Sequence, residues 1–208
     1  MNKLFSRPNK KDSRSQPIIV VSGLPRSGTS MVMRMLAEGG VPVISDEIRG
    51  ADSDNPNGYF ELETVRQISA GNVEWLENAG GKAVKVISAL LEYLPANYSY
   101  KIIFLEREIP EILASQHKML ANRNEKPTAN DTEIERQIHQ HLSVMKPWLV
   151  RQPNMEVLYV NYNKLMTSPT AFCEKITEFL NLPLNQTQML AVPDKQLYRN
   201  RIPPENSY

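Results

Sequence analysis

The chain has 208 residues, and its 24 Lys and Arg nearly balance its 23 Asp and Glu, for a formal net charge of +1. That length suits one domain with a substantial core, and the balance removes any whole-chain demand for a nucleic-acid or membrane partner. A single cysteine, Cys173, excludes an internal disulfide, and no segment reaches the roughly 20 apolar residues of a membrane span.

Residues 1–16 are polar and basic, with Lys3, Arg7, Lys10, Lys11 and Arg14 and no apolar run of the secretory kind. They read as a disordered tail before a domain over 17–208, and cytoplasm is the expected address. Ile18 to Val21 is a continuous apolar run, as in a strand buried on both faces. A loop with Gly23 and Gly28 follows. Thr29 to Glu38 is then an apolar helix that Gly39 and Gly40 end. Val41 to Ile44 is a second strand, and Asp46 to Gly58 a loop. Leu62 to Leu76 is predicted helical, and Ala83 to Ile87 is a third strand. Lys101 to Leu105 is a fourth strand, followed by a helix over Ile109 to Leu120 with Pro110 in its first turn. Asn122 to Asp131 is a polar loop. Glu133 to Val150 is an amphipathic helix with Ile134, Ile138, Leu142, Met145 and Leu149 on one side and Pro147 near its end. Val157 to Val160 is a fifth strand and Thr170 to Leu180 a helix, with Cys173 on the apolar face beside Ile176 and Leu180.

Alternating strands and helices, with strands that are unbroken apolar runs, predict an α/β fold in three layers around a mostly parallel five-stranded sheet. Ligands of such folds bind at the carboxyl ends of the strands. The loop from Gly23 to Thr29 lies at such an end, and so do Asp46, Lys85, Arg107 and Asn161. Backbone N–H groups opening a helix make an anion cradle. The glycine spacing is that of a Walker A loop, but Thr29 and Ser30 stand where that motif needs a lysine for the β- and γ-phosphates. The loop's cation is Arg26 instead. The fourth strand runs into Glu106 and Arg107, without a clear Walker B aspartate. Arg107 therefore suggests a second phosphate held some distance from the first. Asp52, Asp54 and Asn55 lack the ligand spacing of a calcium loop, and no metal is assigned.

Three segments together resemble a known family. PRSGTS, Pro25 to Ser30, is similar to the 5′-phosphosulfate loop of sulfotransferases that use 3′-phosphoadenosine 5′-phosphosulfate (PAPS). FLEREIPEILASQ, Phe104 to Gln116, resembles their 3′-phosphate element, in which an arginine ending a strand is followed eight residues later by a serine, here Arg107 and Ser115. VNYNKLMTSPTAFCEKITEFLNLPL, Val160 to Leu184, resembles the segment after their last core strand. The resemblance runs from Pro17 to about Leu184. It implies a P-loop-like sulfotransferase that moves a sulfuryl group from PAPS to a hydroxyl or amine of a small-molecule, sugar or phenolic acceptor. It also implies that Arg26, Ser27, Gly28, Thr29 and Ser30 hold the 5′ end, with Arg26 a cation for the developing charge. Arg107 and Ser115 then hold the 3′-phosphate, and Lys85 contacts the transferring group.

Proton removal from the acceptor needs a base. Glu47 follows the second strand, and its 21-residue offset from Arg26 resembles the base position of tyrosylprotein sulfotransferases; Arg49 then matches an acceptor-contacting arginine. Glu61, at the start of the next helix, is the competing candidate. Glu47 is preferred. Ile87 occupies the place where the cytosolic small-molecule branch often has its histidine. His139 and His141 do not fit that place, and His117 lies beside Ser115. The basic, glycine-containing closing segment of that branch is missing, and Lys195, Arg199 or Arg201 could stand in for it. Two rivals remain: a kinase-like phosphoryl-transfer enzyme, which the missing Walker lysine disfavours, and a non-catalytic nucleotide-binding protein.

Overall fold

The computed structural model describes residues 16–46, 48, 50, 58–127 and 129–194. Five strands form one sheet: β1 (Ile18–Gly23), β2 (Val43–Ile44), β3 (Ala83–Lys85), β4 (Tyr100–Glu106) and β5 (Met155–Asn161). They lie in the order β2-β3-β1-β4-β5, and every pairing is parallel. All five carboxyl ends therefore share one rim, and the sheet is wholly rather than mostly parallel.

Alternation along the strands divides the core into two layers. Ile19 and Val21 of β1 join one cluster, with Ile103, Leu105, Val32 and Leu36. The helices on this face are α1 (Thr29–Glu38), α5 (Tyr162–Thr167), α6 (Pro169–Leu180) and α7 (Gln186–Leu190). Ile18 and Val20 join the other cluster, with Val84, Ile102 and Phe104. That face is covered by the segment between β2 and β3 and by the C-terminal half of α4 (Asp131–Val150). Between β4 and α4 lies α3 (Ile109–Asn122). No helix among the described residues is long and apolar enough to cross a membrane.

The helix predicted over Leu62 to Leu76 is broken. Its residues form a short α2 (Glu63–Arg66) and two 3₁₀ turns, Ile68–Ala70 and Glu74–Asn78. The break falls at Gly71, which adopts φ 88°, a left-handed conformation that stops a helix and suits glycine. Val65, Ile68 and Leu76 still reach the core, so the apolar spacing reports burial rather than a continuous helix. Helix α4 starts at Asp131, two residues earlier than predicted, because the Asn130 side chain accepts the Glu133 N–H at 2.9 Å as a cap. It continues through Pro147, three residues from its end, although proline supplies no N–H donor to the helix there. Only Met145 and Leu149 of its predicted apolar stripe are buried, while Ile134, Ile138 and Leu142 are partly covered. Between α4 and the end of β4 a cleft of about 400 Å³ opens, lined in part by Glu106, Ile109, Leu142, Ser143 and Lys146.

After β1 the chain crosses toward β2 and β3, whereas after β4 it crosses the opposite way to β5. The adjacent ends of β1 and β4 are thus the topological switch point, where the diverging connections leave a crevice for a ligand.

Candidate active site

Two polar groups are assembled on this rim. The first lies at the switch point. Arg26 has φ 70°, one of four non-glycine residues with positive φ among those described. Such a conformation costs on the order of 1–3 kcal/mol and persists only where its surroundings impose it. One of those surroundings is Arg107, whose Nη1 donates to the Arg26 carbonyl at 3.0 Å. Arg26 Nε in turn donates to Ser115 Oγ at 3.0 Å. Arg107 Nε donates to Glu111 Oε2 at 3.0 Å, and both side chains are almost wholly buried. The Arg107 guanidinium also stacks 4.5 Å from the centre of the Tyr162 ring. That ring leaves no space for a side chain at position 28, since a Cβ on Gly28 would lie 2.3 Å from it, and Gly28 itself has φ 98°. The loop, α3 and α5 are therefore locked together by arginine contacts.

The second group surrounds Lys85, the last residue of β3, which pairs in register with Val21. Lys85 Nζ donates to the Tyr59 carbonyl at 2.8 Å and to Ser30 Oγ at 3.2 Å, and lies 3.4 Å from Glu61 Oε1. Ser30 Oγ also donates to the Tyr59 carbonyl at 3.2 Å. Glu61 is held from its other side by Arg66 at 3.1 Å. Asp46 fixes the backbone around Glu61: its N–H donates to the Glu61 carbonyl at 3.1 Å, and its carboxylate accepts from Glu63 N–H at 2.5 Å and Ile48 N–H at 3.1 Å. The first turn of α1 contains no acidic residue, so no carboxylate within that turn offsets the positive end of its dipole.

Of the residues singled out by sequence, Arg26, Arg107 and Ser115 meet in one group, and Ser30, Lys85 and Glu61 meet in the other. Thr29 is nearly buried at the start of α1. Ser27 is fully buried, and its Oγ has no hydrogen-bond partner. Its hydroxyl thus faces the inside of the loop rather than the rim. Glu47 and Arg49 lie outside the described residues, as do Lys195, Arg199 and Arg201. Asn161 caps α5 by accepting from Lys164 N–H at 2.8 Å. His117 pairs with Asp131 at 2.8 Å, and His141 bonds Ser88 Oγ at 2.9 Å, so both histidines have partners outside the two polar groups. No set of three or more His, Cys, Asp or Glu among the described residues is arranged to hold a metal ion. Glu111 and Tyr162 escape a sequence reading. A signal existed for Glu111, whose i,i+4 spacing from Arg107 puts it on the neighbouring turn. Tyr162 had none, because its role is a contact across two connections.

A parallel sheet with an anion cradle after β1 and cations at the ends of the two flanking strands, β3 and β4, defines a P-loop-like α/β group-transfer enzyme. A model of the sulfotransferase domain matches residues 16–199, and the chain belongs to the sulfotransferase domain family. It is an enzyme of sulfuryl transfer. Solved structures agree on the fold. The sulfotransferase STF1 from Mycobacterium tuberculosis H37Rv superposes with a TM-score of 0.55 at 14% identity, covering 84% of this chain and 71% of that one. Mouse sulfotransferase SULT7A1, solved with PAP, gives 0.52 at 15%, covering 88% and 64%. The sulfotransferase domain of the Synechococcus PCC 7002 olefin synthase gives 0.51 at 16%, covering 96% and 87%. No curated protein sequence matches significantly.

Proposed function

We propose that this sulfotransferase draws the sulfuryl group from PAPS and passes it to a hydroxyl or amine of a small molecule, with sugars and phenols the first candidates. The convergence of Lys85, Ser30 and Glu61 beside the α1 N-terminus carries the reading. It brings an ammonium, a hydroxyl and a carboxylate together next to an anion-binding helix end. The residues suit this donor. The backbone of residues 26–30 receives the 5′ end, and Arg107 with Ser115 receives the 3′-phosphate. A phosphate-bearing nucleotide also agrees with the mouse structure, which carries PAP, the nucleotide left when PAPS loses its sulfuryl group.

In the reaction the acceptor oxygen or nitrogen attacks sulfur. Its new bond to sulfur forms as the bond between sulfur and the 5′-phosphate oxygen breaks, and the bonding pair leaves with that oxygen. Lys85 and the α1 N–H groups face the charge that grows there, a preorganised electrostatic role. Either Glu61, which lies 3.4 Å from Lys85, or Glu47, the carboxylate preferred from the sequence, takes the acceptor proton as general base. The products are a sulfated acceptor and adenosine 3′,5′-bisphosphate. Calorimetry without Mg²⁺ is expected to give tighter binding of the bisphosphate than of ATP. Labelled sulfate from PAPS is expected on at least one member of a hydroxylated acceptor panel. Tighter Mg²⁺–ATP binding with no label transferred would overturn the reading.

A further inference from the structure

We propose that Phe60 is a positioning residue for sulfuryl transfer, whose left-handed backbone aims the Tyr59 carbonyl at Lys85 and Ser30 and so fixes the place of the ammonium. This rests on the reading above, in which Lys85 faces the charge that grows on the leaving oxygen. The Tyr59 carbonyl accepts from Lys85 Nζ at 2.8 Å and from Ser30 Oγ at 3.2 Å. Ser30 Oγ in turn accepts from Lys85 Nζ at 3.2 Å, so the three groups close a ring of hydrogen bonds. A serine hydroxyl has one proton to donate, and here the carbonyl receives it. One main-chain oxygen therefore orients both the ammonium and the hydroxyl at the start of α1.

The direction of that oxygen depends on Phe60. The Tyr59 carbonyl belongs to the peptide plane that turns about the N–Cα bond of Phe60, and φ there is 50°. Residues with a Cβ rarely adopt this conformation, which persists only where the surroundings impose it. Both sides of the bond are held. Tyr59 is 4% exposed, and Lys85 Nζ lies 5.9 Å from the centre of its ring. Phe60 packs against the core cluster that contains Val21 and Val32, and the Glu61 carbonyl accepts from Asp46 N–H at 3.1 Å. A return of φ to an ordinary value near −60° would turn the plane by about 110° and carry the carbonyl away from Lys85 and Ser30. At Gly58, with φ 80°, the sequence meets the same demand with glycine. At position 60 it keeps an aromatic ring that packs on the core.

The test compares Phe60→Gly with Phe60→Val. Both lose the ring, but glycine accepts φ 50° and a β-branched residue resists it. Acetylation by acetic anhydride, read by mass spectrometry, reports how firmly the Lys85 amine is held. Lys85 is expected to label about 5-fold faster in Phe60→Val than in Phe60→Gly, in line with the cost of a side chain at positive φ. Lys101, held by Glu156 and the Phe179 carbonyl, serves as the reference and is expected to label equally in both. With labelled PAPS and a panel of hydroxylated acceptors, kcat is expected to be about 10-fold lower in Phe60→Val than in Phe60→Gly, as for a displaced catalytic group. Calorimetric affinity for adenosine 3′,5′-bisphosphate is expected to differ between them by no more than about 2-fold. If Phe60→Val does not melt cooperatively, Phe60→Ala, which has a Cβ without the branch, takes its place. Equal Lys85 labelling in the two variants would overturn the inference alone, and so would a fall in kcat matched by the same fall in bisphosphate affinity. A wild type that transfers no label from PAPS to any acceptor would overturn the donor reading, and the inference with it.

Discussion

At the β4 end of the rim a buried guanidinium is matched by a buried carboxylate, whereas at the β3 end a carbonyl, a hydroxyl and a more exposed carboxylate share one ammonium. The Arg107 and Glu111 side chains are 8% and 2% exposed, and Arg107 is further fixed by the Arg26 carbonyl and the Tyr162 ring. Lys85 and Glu61 are 10% and 24% exposed, and Glu61 shares its carboxylate with Arg66 on a four-residue helix. The first arrangement suits a part of the ligand that stays the same through the reaction. The second leaves a carboxylate within reach of an incoming acceptor. The proposed function assigns binding to the Arg107–Glu111 half and chemistry to the Lys85–Glu61 half.

The contrast can be broken most strongly at its buried side. Arg107→Ala strands the Glu111 carboxylate in the interior, and a stability loss of about 3–5 kcal/mol is expected from removing one partner of a buried pair. Chemical denaturation checks this, and a loss below 1 kcal/mol would remove the structural half of the comparison. At the open side Lys85→Ala is expected to lower kcat by about 10²–10³-fold while binding of the bisphosphate falls far less. Glu61→Gln, tested under the same assay, is expected to lower kcat by about 10²-fold. An unchanged kcat would remove Glu61 as the base and leave Glu47, the other carboxylate the sequence offers.

Asp46→Ala is expected to act through Glu61 rather than on the donor. Losing the carboxylate that accepts from Glu63 and Ile48 loosens the backbone on the C-terminal side of Glu61. A fall in kcat of about 10-fold with bisphosphate affinity intact is expected, as for a displaced catalytic group. Equal loss of donor affinity would make Asp46 a general structural residue instead. The smallest effect concerns Cys173, whose thiol pKa is raised by burial and by the nearby Glu174. A raised folded-state value means its contribution to stability is complete below the ordinary thiol value, about 8.5, and declines as pH rises above it. Cys173→Ala should flatten that alkaline decline in melting temperature, and a decline as steep as in wild type would assign it to other groups.

Much of the fold was legible where local signals agreed. The limits of α1 were readable to the residue, because a glycine loop, an apolar run and a glycine pair bracket it. The strands were readable as unbroken apolar runs, though each was one or two residues off at one end or both, where hydrogen bonding to a neighbour decides the boundary. The segment from Leu62 to Leu76 was misread because apolar spacing near that of a helix also arises when short turns each drop one side chain onto a sheet. Helix α7 and the 3₁₀ turn Ser88–Tyr93 had no signal strong enough to stand apart from loop.

Sequence alone was enough for the sheet class and the place of the glycine loop, because both depend on local pattern and spacing, while the candidate site residues came from the family resemblance. Strand order was not readable, since nothing local says that β1 lies between β3 and β4. That order makes the switch point and brings Arg26 to Ser115, 89 positions away, and Lys85 to Ser30, 55 positions away. Contacts at such separations follow from how the layers pack. Only the tertiary structure could therefore set a guanidinium against a buried carboxylate on one side of the rim and an ammonium against a more exposed one on the other.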